Sequence, residues 1–130
     1  MPGDIHITNG AQKIVKIKRI EAWEAERILG VRCALDGKDE VEFKYRLEET
    51  MKLAGRICSA PLTRQDAEIV CRERWMASIK YCLPITQFSP DQCHQLSISI
   101  EKALLPKLGF NRHMPKAVLY GPTKYFVSVL

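Results

Sequence analysis

The chain has 130 residues, 46% hydrophobic and 27% charged, with a formal net charge of +5. This is the composition of one ordinary globular domain, long enough to bury a core without disulfides or metal. It excludes wholesale disorder, and no apolar run reaches the roughly 18–20 residues needed to cross a bilayer.

The N-terminal third reads as β. The Asn9-Gly10 pair of "DIHITNGAQKIVKIKRI" is a hairpin turn signal between runs of β-branched residues. On the second run Ile14, Lys16, Lys18 and Ile20 share one side, and Lys13, Val15, Ile17 and Arg19 the other. Neither side is cleanly apolar, so burial of both faces is not expected. A third extended run over 27–35 ends at the turn "DGKD". Residues 21–26 fit either a bulged strand or a short helical turn. The expectation for 1–37 is a small antiparallel β-meander.

From Lys38 the period becomes helical. A first helix is predicted over 39–58, with Phe43, Leu47, Met51, Ala54 and Cys58 as its core stripe. Glu42, Arg46, Glu49, Lys52 and Arg56 make its solvated face. Thr63 and Asp66 form a capping-box pattern that starts a second helix, running to about Tyr81 or Cys82. Its apolar residues fall into two stripes: Ala67, Val70, Cys71, Ala77 and Tyr81, then Ile69, Met76, Ile79 and Leu83. Two stripes imply two packed neighbours. Ser89, Pro90, Asp91 and Gln92 are a complete helix-start signal. The third helix carries Cys93, Leu96, Ile100 and Leu104 on one side, and Pro106 is expected to stop it near Leu105. The fold class is α+β, in three regions: a β-meander at 1–37, a three-helix bundle at 38–106 and an irregular basic connector at 107–130. They are expected to form one compact unit.

The five cysteines, Cys33, Cys58, Cys71, Cys82 and Cys93, include no C-x-x-C pair. They read as buried reduced thiols and not as a disulfide framework or zinc site. Adjacent Cys93 and His94 lie about 100° apart on a helix, which suits joint ligation poorly. His6, His94 and His113 stand in unrelated contexts, and "YGPTK" lacks the loop and spacing of a phosphate-binding motif. No catalytic residue, metal or cofactor is expected. The start "MPGDIHITNG" has no leader-like apolar run, so an intracellular protein with no membrane contact is the expectation.

Charge is distributed unevenly. Residues 1–101 hold fifteen Lys/Arg and fifteen Asp/Glu, whereas 102–130 hold five cations and no acid. "KIVKIKR" at 13–19 is a second acid-free basic run. Such asymmetry suits an anionic partner, above all a nucleic-acid backbone. The candidate contacts are Lys16, Lys18, Arg112, Lys116 and Lys124, with Lys102 and Lys107 as alternates. Tyr120 and Tyr125 are residues that could stack on bases, although core packing suits them better. Arg72, Arg74 and Lys80 read as a solvated face.

Three segments, "ERILGVRCALDG" at 26–37, "AGRICSAPLTRQDAEIVCRERWMASIKYCLPITQFSPDQC" at 54–93 and "LLPKLGFNRHMPKAVLYGPTKY" at 104–125, carry a family likeness. In order and wording they resemble the region downstream of the catalytic palm in non-LTR-type retrotransposon reverse transcriptases. That family runs from an R-x-L-G-V hairpin through three thumb helices to "LPKxGFNRxMPRxVVYGPxxYGGLGL". The resemblance implies a primer-grip-like hairpin at Arg27, Leu29, Gly30 and Val31. It implies a thumb lying along the template–primer duplex, and a connector containing Gly109, Asn111, Arg112, Met114, Pro115, Lys116, Gly121 and Pro122. The chain has no Asp-Asp, so the family's two-metal site is absent. "YFVSVL" stands where the family has "YGGLGL", which reads as a truncation or frame change. The resulting expectation is a thumb-region fragment without polymerase activity that binds nucleic acid weakly and without sequence preference. The alternative is a helical module that docks a protein partner or a second copy of itself.

Overall fold

A computed structural model describes residues 5–119. The fold is α+β: four short strands precede the helices. The chain divides into two units, Met1–Lys38 and Asp39–Leu130. The division falls beside the boundary expected at 37/38, and the described part of the connector belongs with the helices.

The first unit contains two separate antiparallel hairpins, not one meander. Strands β1 (His6–Thr8) and β2 (Ile14–Lys16) pair with Ile7 opposite Val15. Their loop is longer than an Asn-Gly turn. The Asn9 side chain accepts hydrogen bonds from the backbone N–H groups of Ala11 and Lys13, and Gln12, not Gly10, takes the positive φ of 56°. The run expected as one extended segment over 27–35 is instead folded in two. Strands β3 (Glu26–Ile28) and β4 (Val31–Cys33) meet across Leu29-Gly30. Both turn residues have positive φ, 48° and 90°, as the two-residue turn that matches strand twist requires.

In the second unit, helix α1 (Glu40–Ser59) is buried along Glu42, Arg46, Thr50, Ala54 and Ile57. This corrects the expected stripe. Met51 is 58% exposed and Cys58 is exposed, whereas Glu42 and Arg46, expected on the solvated face, are buried. The physical reason is that the polar residues satisfy one another. Arg46 Nε donates to Glu42 Oε1 at 2.6 Å and Nη1 donates to Ser78 Oγ at 2.9 Å. One turn further, Trp75 Nε1 donates to Thr50 Oγ1 at 3.2 Å. A buried charge is tolerated when its partner and hydrogen bonds are in place. Phe43 turns aside to meet Phe88 edge-on, with centroids 5.8 Å apart.

The second helical stretch is a composite: α2 (Arg64–Ile69), a π-helical segment (Val70–Met76) and α3 (Ala77–Cys82). A π turn holds one residue more than an α turn and rephases the residues beyond it. The two apolar stripes are therefore largely one face seen before and after the shift. Ala67 is buried ahead of it, Cys71 at its start and Cys82 beyond it, while Ile69 and Tyr81 remain exposed. The start is as the sequence indicates: the Thr63 hydroxyl accepts from Asp66 N–H, and the Asp66 carboxylate accepts from Thr63 N–H and Oγ1–H.

Helix α4 (Pro90–Lys107) begins with the expected reciprocal Ser89–Gln92 cap. Its end differs. Pro106 lies inside the last turn, and the helix stops at Gly109. There the φ of 83° lets Phe110 N–H reach Leu105 O at 2.8 Å and Gly109 N–H reach Pro106 O at 3.2 Å, a Schellman stop. The ring of Pro106 removes a donor, but the helix has only one further residue to lose. The core joins Ala54 and Ile57 of α1, Ala67 and Cys71, and Ile100, Ala103, Leu104 and Leu108. Cys93 is exposed, so of the five thiols only Cys71 and Cys82 are fully buried. No described helix is long and apolar enough to cross a membrane.

Candidate nucleic-acid interface

Beyond α4 the chain doubles back. Gly109 reverses it, and Phe110 is held by the core and by the Arg64 guanidinium 5.6 Å above its ring. The Asn111 side chain then accepts from His113 N–H at 3.0 Å, a local turn typical of Asn. Pro115 leads into α5 (Lys116–Leu119), a single helical turn. The return path places Lys116 against the N-terminal half of α4, where Lys116 Nζ donates to His94 Nδ1 at 2.8 Å.

These folds gather cations. Arg112 and Lys116 line a cavity of about 260 Å³ together with His94, Glu101 and Lys102 of α4. Ile98, Leu105 and Met114 supply its apolar lining. Glu101 is 9% exposed and is the acid in this wall, against three formal cations. Arg112 and Lys102 are exposed, with no ion-pair partner among the described residues. Lys102, an alternate in the sequence, belongs to the cluster. His94 does too, although the sequence suggests it only as a poor metal ligand. Its signal is the step of four from His94 through Ile98 to Lys102, which puts them on one side of α4.

The other candidates are placed differently. Lys107 is engaged: its Nζ donates to Ala60 O at 2.7 Å, closing the C-terminal end of α1. Lys16 and Lys18 belong to the first unit. Lys18 is held by Glu24 at 2.6 Å, and that hydrogen bond, then the carboxylate's charge, raises its pKa. Its charge is therefore partly spent within the hairpin unit. Lys124, Tyr120 and Tyr125 lie outside the described residues. On the second helical stretch Arg72 pairs with Glu68 at 2.8 Å, as a solvated face should. Burial pushes the thiols of Cys71 and Cys82 up, away from the thiolate. Among the described residues no three His, Cys, Asp or Glu side chains gather as a metal site would need.

No protein-family model, no curated protein and no solved structure matches the chain. None of these comparisons links the chain to reverse transcriptases.

Proposed function

We propose that this chain is a thumb-like region of retroelement reverse-transcriptase type that binds nucleic-acid backbones and carries no polymerase chemistry of its own. The observation that supports this reading best is the convergence of Arg112, Lys116 and Lys102 around one concave surface in an acid-free stretch. Guanidinium and ammonium groups so placed neutralise phosphates and release condensed counterions. Phosphate contacts carry no base information, so binding is insensitive to sequence. Lys16 on the hairpin adds a second basic element, and Lys18 a weaker one because of Glu24.

The test is binding to a primer–template duplex, a single strand and heparin across a salt series, with light scattering alongside. Affinity rises steeply as salt falls. The double variant Arg112→Ala/Lys116→Ala lowers the log–log slope by roughly 2, at about 0.9 per phosphate contact. Absence of binding near micromolar at low salt overturns the reading.

One observation favours the alternative, a self-associating module. Ile5, Ile7, Val15 and Ile17 share one face of the first hairpin, and all four are exposed. A concentration-independent monomer in light scattering removes that alternative.

A further inference from the structure

A second cavity lies where α1 faces the π segment. Its volume is about 390 Å³, within the range of small-molecule sites. Arg56 of α1 and Arg74 of the π segment both line it, one from each side of the groove. Neighbouring cations are neutralised: Lys52 is held by Glu48 at 3.0 Å and Glu49 at 3.1 Å, and Arg72 by Glu68. Arg56 and Arg74 are not, for neither has an ion-pair partner among the described residues.

The lining is also rich in unused donors. Thr50, 3% exposed, accepts from the Trp75 indole, and its own O–H has no acceptor among the described residues. Ser78 likewise accepts from Arg46 and donates to no described group. Each hydroxyl already accepts one hydrogen bond, and its own hydrogen is left to donate to an acceptor in the groove. Two guanidiniums and two hydroxyls offering hydrogens, with Glu49 already engaged by Lys52, define a site for an acceptor-only anion. Trp75 adds a flat apolar ring to the wall. It stands there because of the π segment, a feature often found at functional sites.

We infer that this groove binds a small organic phosphate bearing a planar ring, with Arg56 and Arg74 on the phosphate and Trp75 beside the ring. Arginine pairs suit phosphate because the planar fork matches its oxygens. The site is separate from the Arg112–Lys116 cluster and stands whether or not that cluster binds nucleic acid.

The test uses the full chain with Trp23→Phe, so that Trp75 is the one indole left of two. Adenosine monophosphate, adenosine and inorganic phosphate are titrated by Trp75 fluorescence and by calorimetry. The nucleotide gives a saturable change at submillimolar concentration, and adenosine and inorganic phosphate each bind at least about tenfold more weakly. Arg56→Gln/Arg74→Gln weakens the nucleotide by about tenfold or more with unchanged thermal unfolding. Arg112→Ala/Lys116→Ala leaves the affinity as it was. No saturation at millimolar nucleotide, equal binding of inorganic phosphate, or indifference to the double glutamine variant overturns the inference.

Discussion

Leu29 holds a backbone conformation that suits glycine or asparagine, with φ at 48°. For a leucine in that region the cost is about 1–2 kcal/mol. The side chain is exposed, so burial does not compensate it. Leu29→Asn should therefore strengthen the turn by about 1 kcal/mol, roughly fivefold in the opening equilibrium. Amide exchange at Ile28 and Val31, the pair flanking the turn, reads this directly. Unchanged exchange would mean that the turn is not populated as described. The burial of Glu42 and Arg46 is hidden at this same scale. Each is an ordinary charged residue by type, and it takes a partner such as Ser78, 32 positions from Arg46, to show that the pair faces inward.

Helix starts are legible in the sequence, and so are the ends of the first two helical stretches, at Ser59 and Cys82, whereas the stop of α4 is not. The Thr63–Asp66 and Ser89–Gln92 boxes act within four residues, so sequence contains the whole interaction. Asp66 is held below its ordinary pKa, first by the Thr63 hydroxyl and then by its backbone N–H. The end of α4 depends on two competing signals, Pro106 and Gly109, and the left-handed glycine prevails. No heavy atom lies within 4 Å of a Cβ built at Gly109. Gly109→Ala therefore costs backbone strain alone, about 1–2 kcal/mol. Urea unfolding should show a lower midpoint with an unchanged m-value. The π segment is illegible for another reason. Periodicity assumes a constant twist, and a single rephasing turn splits one stripe into two.

Across the whole molecule, class and charge are readable, and geometry is not. The α+β order shows in the change of period at Lys38, and the acid-free end shows in composition. That Arg112 and Lys116 meet His94 and Lys102 requires the reversal at Gly109 and the turn at Asn111, which bring positions 22 residues apart into contact. The pairing of Arg56 with Arg74 across one groove is equally non-local.

Within the π segment, chain length itself carries information. A π turn spreads nearly the same rotation over one residue more than an α turn, so losing one residue between 70 and 74 would return the segment to an α-helix and leave its two ends in nearly the same phase. Both flanking pieces would remain helical. Trp75 would keep its place opposite Thr50. A one-codon deletion would thus be absorbed within the helix, with the lining of the groove kept. Unshifted Trp75 emission at undiminished helicity is the expected record of that absorption.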